Sequence, residues 1–149
     1  MSIPPGRILA LDVGRKRIGL ALSDPLGITA QGLPTLHRTR IRDDIAFLKQ
    51  LAAERGVSRL LIGMPLHLSG DESRQSEYTR EFAERLEQAL HIPVIFWDER
   101  LTSAEAERRL RLSGTSVGRA TGNVDRLAAI LLLESYLGSR IFAEPLSDD

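Results

Sequence analysis

Apolar residues along this chain follow two spacings, and the changes between them mark out the elements. Residues 7–13 and 17–23 are almost continuously apolar and predict two strands joined by the short basic turn Gly14-Arg15-Lys16. Residues 28–37 predict a third, weaker strand, interrupted by Gly32 and Pro34. These three form an antiparallel meander. A helical spacing then takes over: Ile41, Ile45, Leu48 and Ala52 share a face, and Gly56 supplies a stop. Residues 59–63 read as a short apolar strand ended by Met64-Pro65, followed by a loop over 66–72 with a Ser69-Gly70-Asp71 turn signal. Tyr78, Phe82, Leu86 and Leu90 mark the buried face of a second helix, and residues 93–97 predict another strand, ended by Asp98-Glu99. Thr102-Ser103-Ala104-Glu105 has the form of a capping box opening a helix that runs to Leu112. Gly114, Gly118 and Gly122 then predict a mobile loop containing Arg119. A last helix, apolar nearly all round, is expected from Val124 to Leu137, stopped by Gly138.

The order β-β-β-α-β-α-β-α-α predicts an α/β fold with a mixed five-stranded sheet flanked by helices, the layout of the ribonuclease H-like fold. With 149 residues the expectation is one domain, its ordered core spanning 7–137 and an acidic, flexible tail after it. Lys plus Arg equals Asp plus Glu at 20 each, so any site for a polyanion must come from local clustering. The chain has no cysteine, which excludes disulfides, thiolate zinc sites and a cysteine nucleophile. The first residues show no signal-peptide pattern, and no apolar run nears the roughly 20 residues of a membrane span, so the expected location is the cytoplasm, without membrane association.

The informative residue is Asp12, an acid in an otherwise apolar strand. A lone buried carboxylate costs several kcal/mol or takes a proton, so a retained one implies a cation, a metal or a cluster of donors. Asp98-Glu99 stands at the end of another strand, and Asp125 is expected in the first turn of the last helix. If these ends meet, hard oxygen ligands converge as Mg²⁺ or Mn²⁺ requires, and two such ions about 3.5–4 Å apart cleave phosphodiesters. Arg15, Lys16 and Arg17 follow Asp12, Arg100 follows Glu99, and Arg119 lies in the glycine-rich loop: local positive charge beside a carboxylate site. His37, His67 and His91 are scattered with no ligand spacing. Each feature has a plainer structural explanation. Asp12 could cap a turn, Asp98 and Glu99 could pair with Arg100 or Arg126, Asp125 could complement a helix dipole, and the basic turn could be a solvated hairpin tip.

Taken together, Asp12-Val13-Gly14-Arg15-Lys16-Arg17-Ile18-Gly19, Ser23-Asp24-Pro25-Leu26-Gly27, Ile62-Gly63-Met64-Pro65-Leu66, Trp97-Asp98-Glu99-Arg100-Leu101-Thr102-Ser103 and Asp125-Arg126-Leu127-Ala128 resemble the YqgF (RuvX) family of pre-16S rRNA nucleases, from Arg7 to Leu137. The resemblance implies a fold related to Holliday junction resolvases, metal-dependent cleavage of nucleic acid, and maturation of the 5′ end of 16S ribosomal RNA. It implies Asp12, Glu99 and Asp125 as catalytic, metal-binding acids, with Asp98 competing for the middle place. Arg15, Lys16, Arg17, Arg100, Thr102 and Arg119 become substrate contacts. The implied partner is RNA, a ribosomal precursor alone or on the ribosome, with DNA as the alternative and a monomer or homodimer as the assembly. Resolvase relatives carry an acid at the strand end that here reads Gly63-Met64-Pro65, which shifts the burden to Asp98-Glu99. The competing expectations are a non-catalytic RNA-binding module and an ATPase or sugar-kinase relative; the latter needs a second domain to close over its nucleotide.

Overall fold

The computed structural model describes residues 6–64, 70–98 and 121–143. In chain order these form β1 (Arg7–Val13), β2 (Arg17–Ser23), β3 (Ala30–His37), α1 (Ile41–Arg55), β4 (Val57–Met64), α2 (Gly70–Leu90), β5 (Val94–Asp98) and α3 (Thr121–Ala143). The sheet order is β3-β2-β1-β4-β5. β1, β2 and β3 are the expected antiparallel meander, while β4 and β5 run parallel to β1. The C-terminal ends of β1, β4 and β5 therefore share one edge of the sheet. Pro34 is tolerated because β3 is an edge strand with one side needing no ladder partner.

Both faces of the sheet are covered, which is why its central strands read as continuous apolar runs. Side chains alternate across a strand. Leu9, Leu11 and Val13 of β1 pack with Leu60 and Ile62 of β4 against Leu48 and Ala52 of α1 and Phe82, Ala83 and Leu86 of α2. Ile8 and Ala10 face the other way, with Leu61, against Ala129, Leu132, Leu133 and Leu137 of α3. Asp12 continues the second series and so falls on the α3 face.

Several helix limits differ from the sequence expectation. α1 ends as expected at Gly56, whose left-handed φ of 67° lets its N–H bond to Ala52 O. α2 starts at Gly70, inside the expected 66–72 loop. α3 starts at Thr121, so Thr121 and Gly122 are helical rather than loop, and Asp125 lies beyond the first turn, which contains no acid. Because the dipole effect fades within one turn, it does not explain Asp125. α3 also runs through Gly138 to Ala143. An interior glycine costs a helix only about 1 kcal/mol, and neighbouring Tyr136 and Leu137 pack on the sheet. The expected helix from Thr102 to Leu112, the rest of the glycine-rich loop and the tail after 143 lie outside the described residues. Among those described, no helix is long and apolar enough to cross a membrane.

The β2–β3 connection is organised by Asp24, whose carboxylate accepts N–H bonds from Ile28 and Thr29 at 2.7 Å and Leu26 at 3.2 Å. The Thr29 N–H, aided by Ile28 and Leu26 and opposed by desolvation, holds its pKa below the ordinary 3.8. A lowered folded-state pKa means this stabilisation is complete above pH 3.8 and lost as pH falls through the lower folded value. The Thr29 amide resonance is expected to titrate by NMR with a midpoint below 3.8, and Asp24→Asn should abolish that titration.

Candidate active site

Asp12 is the penultimate residue of β1, and its cross-strand partner on β2 is Gly19. Opposed antiparallel residues have Cα atoms roughly 4.5–5.5 Å apart. The missing side chain at Gly19 is filled by α3: a Cβ there would lie 2.0 Å from Asp125 O and 2.6 Å from Asp125 C. The backbone of α3 thus rests on β2 at the residue paired with Asp12. The sheet and the helix place Asp12 and Asp125 at neighbouring positions on one face. On the next strand, Gly32 accepts the Arg126 stem, with a would-be Cβ 2.5 Å from Cγ.

Arg17, two residues before Gly19 and on the same face of β2, donates from Nε to Asp125 Oδ2 at 2.7 Å. In this structure the expected phosphate contact Arg17 holds Asp125. The side chains are 34% and 23% exposed, so the pair adds no more than about 1 kcal/mol; its consequence is to fix the carboxylate. Arg15 and Lys16 are exposed on the turn, with the Arg15 guanidinium 4.4 Å from the Tyr78 ring centre.

Asp98 ends β5 in register with Met64, the last residue of β4. Val94 and Phe96 pack on the α1–α2 side, whereas Ile95 and Trp97 pack on the α3 side. Alternation therefore assigns Asp98 to the face opposite Asp12, two strand spacings away. Trp97 ties β5 to α3: its Nε1 donates to Ser135 Oγ at 3.0 Å and its ring meets Tyr136 edge-on at 5.2 Å. Arg126, one of the alternative partners for Asp98 or Glu99, has its stem over β3, at the far edge of the sheet from β5. Glu99, Arg100, Thr102 and Arg119 lie outside the described residues. Among the described residues no group of three acids, histidines or cysteines gathers as a metal site.

Arg38 was not a sequence candidate. Its Nε bonds Asp44 Oδ2 at 3.1 Å, and its Nη1 donates to Gly14 O at 3.0 Å and to the Tyr78 hydroxyl. Its guanidinium lies 4.7 Å from the Phe82 ring centre. Arg38 N also bonds Lys16 O at 2.9 Å, and Gln75 Nε2 bonds Val13 O at 3.3 Å. Together these contacts clamp the backbone that leaves Asp12. A signal existed in Asp44, an acid on the apolar stripe of Ile41, Ile45 and Leu48.

Comparison with known proteins bears on the family and the fold. The profile of the RuvX family, described as Holliday junction resolvase, matches residues 6–139. The chain belongs to the RuvX family. It is 51% identical over 144 residues to a protein of Koribacter versatilis, covering 95% of this chain and 94% of the relative. It is 46% identical over 129 residues to one of Synechococcus elongatus, covering 87% of each. Both relatives bear the provisional name pre-16S rRNA nuclease. Among solved structures, Thermus thermophilus RuvC with a Holliday junction substrate aligns with a TM-score of 0.59 at 13% identity, over 91% of this chain and 95% of RuvC. The fowlpox virus resolvase with its junction DNA gives 0.55 at 14%, over 89% and 97%. At such identities the likeness establishes the ribonuclease H-like fold that RuvX members share with resolvases.

Two outcomes are expected of the framework. Gly19→Ala must push α3 off β2, because the obstacle is helix backbone rather than a flexible side chain; urea unfolding should show a loss of about 1–3 kcal/mol. Asp44→Ala leaves the buried Arg38 charge unpaired and should cost about 3–5 kcal/mol by the same measurement.

Proposed function

We propose that this RuvX member is a divalent-metal-dependent nuclease of structured nucleic acid that matures the 5′ end of pre-16S rRNA. The observation that carries this reading is the stack of Asp12, Gly19 and Asp125, in which a helix sits on a side-chain-free strand position and two carboxylates share a face at the C-terminal edge of the sheet. The names borne by the relatives supply the substrate class, and the structures solved with junction DNA are consistent with a nucleic-acid ligand.

The donor set suits Mg²⁺ or Mn²⁺, which favour carboxylate oxygen and retain water. Asp12 and Asp125 would hold the ion. Glu99 is the preferred third ligand over Asp98, for its longer reach from a strand end and because alternation along β5 turns Asp98 to the face away from Asp12. These carboxylates would thereby supply Lewis-acid chemistry, a more acidic bound water and neutralisation of charge developing on a phosphodiester, with one ion or a pair. The chain's own groups do the rest. Arg17 fixes the orientation of Asp125, and Arg38 fixes the turn after Asp12. Arg15, Lys16, Arg100, Thr102 and Arg119 contact substrate phosphates. β4 brings only Gly63 and Met64 to this edge, which favours the ribosomal precursor over the four-way DNA junction as substrate.

The test is cleavage of a 5′-extended 16S rRNA fragment and of a DNA junction, with Mg²⁺, with Mn²⁺ and with chelator. Asp12→Asn, Asp125→Asn and Glu99→Gln should fall to background while remaining folded, and Asp98→Asn should stay active. Arg17→Ala should lose about 10- to 100-fold, as orienting partners of ligands do. Full activity of Asp12→Asn, or cleavage that persists in chelator, overturns the metal-nuclease reading. Cutting of the junction alone overturns the RNA assignment.

A further inference from the structure

We propose that the β1–β2 turn and the β3–α1 connection form one cationic rail that holds backbone phosphates of the nucleic acid away from the bond being cut. This rests on the nuclease reading above, which it extends to residues outside the acidic edge. The two connections are far apart in sequence and are joined in space. Arg38 N bonds Lys16 O at 2.9 Å, Arg38 Nη1 bonds Gly14 O at 3.0 Å, and the strands bring Arg17 into register with His37. The result joins the turn that carries Arg15 and Lys16 to the connection that carries Arg40 and Arg42, all four exposed, with exposed His37 at the join. Segments 14–17 and 37–42 contain no acid; the flanking acids are Asp12 of β1, exposed Asp43 and buried Asp44, the last of these paired with Arg38. Arg17 is spent on Asp125. A chain of zero formal charge thus carries four exposed cations on two joined connections at one end of its sheet, the first of them three residues past Asp12.

Helix stability does not account for this placement. Arg40 stands at the N-cap of α1 and makes no side-chain capping bond, and Arg42 lies in the first turn. An N-cap side chain that cannot accept a bond forfeits the stabilisation that Ser, Thr, Asp or Asn would give there. Cations at the positive end of a helix are disfavoured in addition. Asp43 and Asp44 restore part of the dipole match, but neither explains arginine at 40 and 42. A phosphate backbone does, since it rewards clustered guanidinium groups through bidentate bonds and counterion release. Such contacts position the substrate without reading its sequence.

The experiment measures binding, so that it fails or succeeds apart from cleavage. A 5′-extended 16S rRNA fragment is titrated with protein in chelator across a series of KCl concentrations, with the fragment's integrity checked on a gel. Each lost phosphate contact should flatten the slope of log affinity against log salt by about 0.7–0.9. Arg40→Gln and Arg42→Gln should each do this, and the triple variant with Lys16→Gln should lower the slope by about 2 or more. Arg85→Gln, an exposed cation on α2, is the control and should leave the slope unchanged. Thermal unfolding confirms that the variants fold. An unchanged slope in the triple variant, or an equal fall with Arg85→Gln, overturns the rail. A flattened slope beside a wild-type protein that never cuts RNA upholds the rail and defeats the nuclease reading alone.

Discussion

The close approach of α3 to β2 is the contact on which the site depends. Helix backbone can rest on sheet backbone only where no side chain intervenes, and Gly19 provides that place directly under Asp125. Gly32 on the neighbouring strand does the same for the Arg126 stem, so glycines on two adjacent strands receive consecutive residues of one helix. Ten residues further on, Ser135 and Tyr136 engage Trp97 of β5. At 1.5 Å per residue these anchors lie about 15 Å apart along the helix. Two such anchors fix both the rotation and the slide of α3. Its apolar stripe of Ala129, Leu132, Leu133 and Leu137 supplies adhesion between them, but a leucine-rich face alone tolerates slippage. The glycine contact converts adhesion into register, and register is what sets Asp125 beside Asp12.

Much of this was legible in the sequence for a physical reason. The strands are buried on both faces, so their apolar runs are long and bounded by clear turn residues, and β1 and β2 begin and end where expected. Features governed by contacts distant in sequence were not legible. The span of α3 through Gly138 depends on the packing of residues around the glycine. The start of α2 at Gly70 shows that a turn signal and a helix start share a vocabulary of glycine and acids. Which face of β5 meets α3, and so the face of Asp98, was not legible either, because its five residues are all half-buried. Asp12 was recognisable because a carboxylate in an apolar strand needs a reason. Asp44 had the same signature on a helix, but its partner Arg38 lies beyond the stripe that would reveal it.

The buried pair of Arg38 and Asp44 shows what the framework spends on placement. Their side chains are 7% and 2% exposed, and replacing such a pair with well-packed apolar residues is commonly neutral or stabilising by about 1–4 kcal/mol. Raw stability is therefore a weak reason for its presence. Its donors supply direction instead: one nitrogen faces Asp44, while another faces the Gly14 carbonyl and the Tyr78 hydroxyl. An apolar replacement of equal volume would fill the space and leave that carbonyl without its side-chain donor. The turn between β1 and β2 would then keep its backbone bonds, from Gly14 N to Arg17 O and from position 38 N to Lys16 O, but lose its only described side-chain bond to Gly14 O. A turn carrying adjacent cations repels itself, and the acid beside it must keep its aim. A rigid guanidinium fork bonded to both an acid and the turn backbone answers both demands, where hydrophobic packing would answer neither.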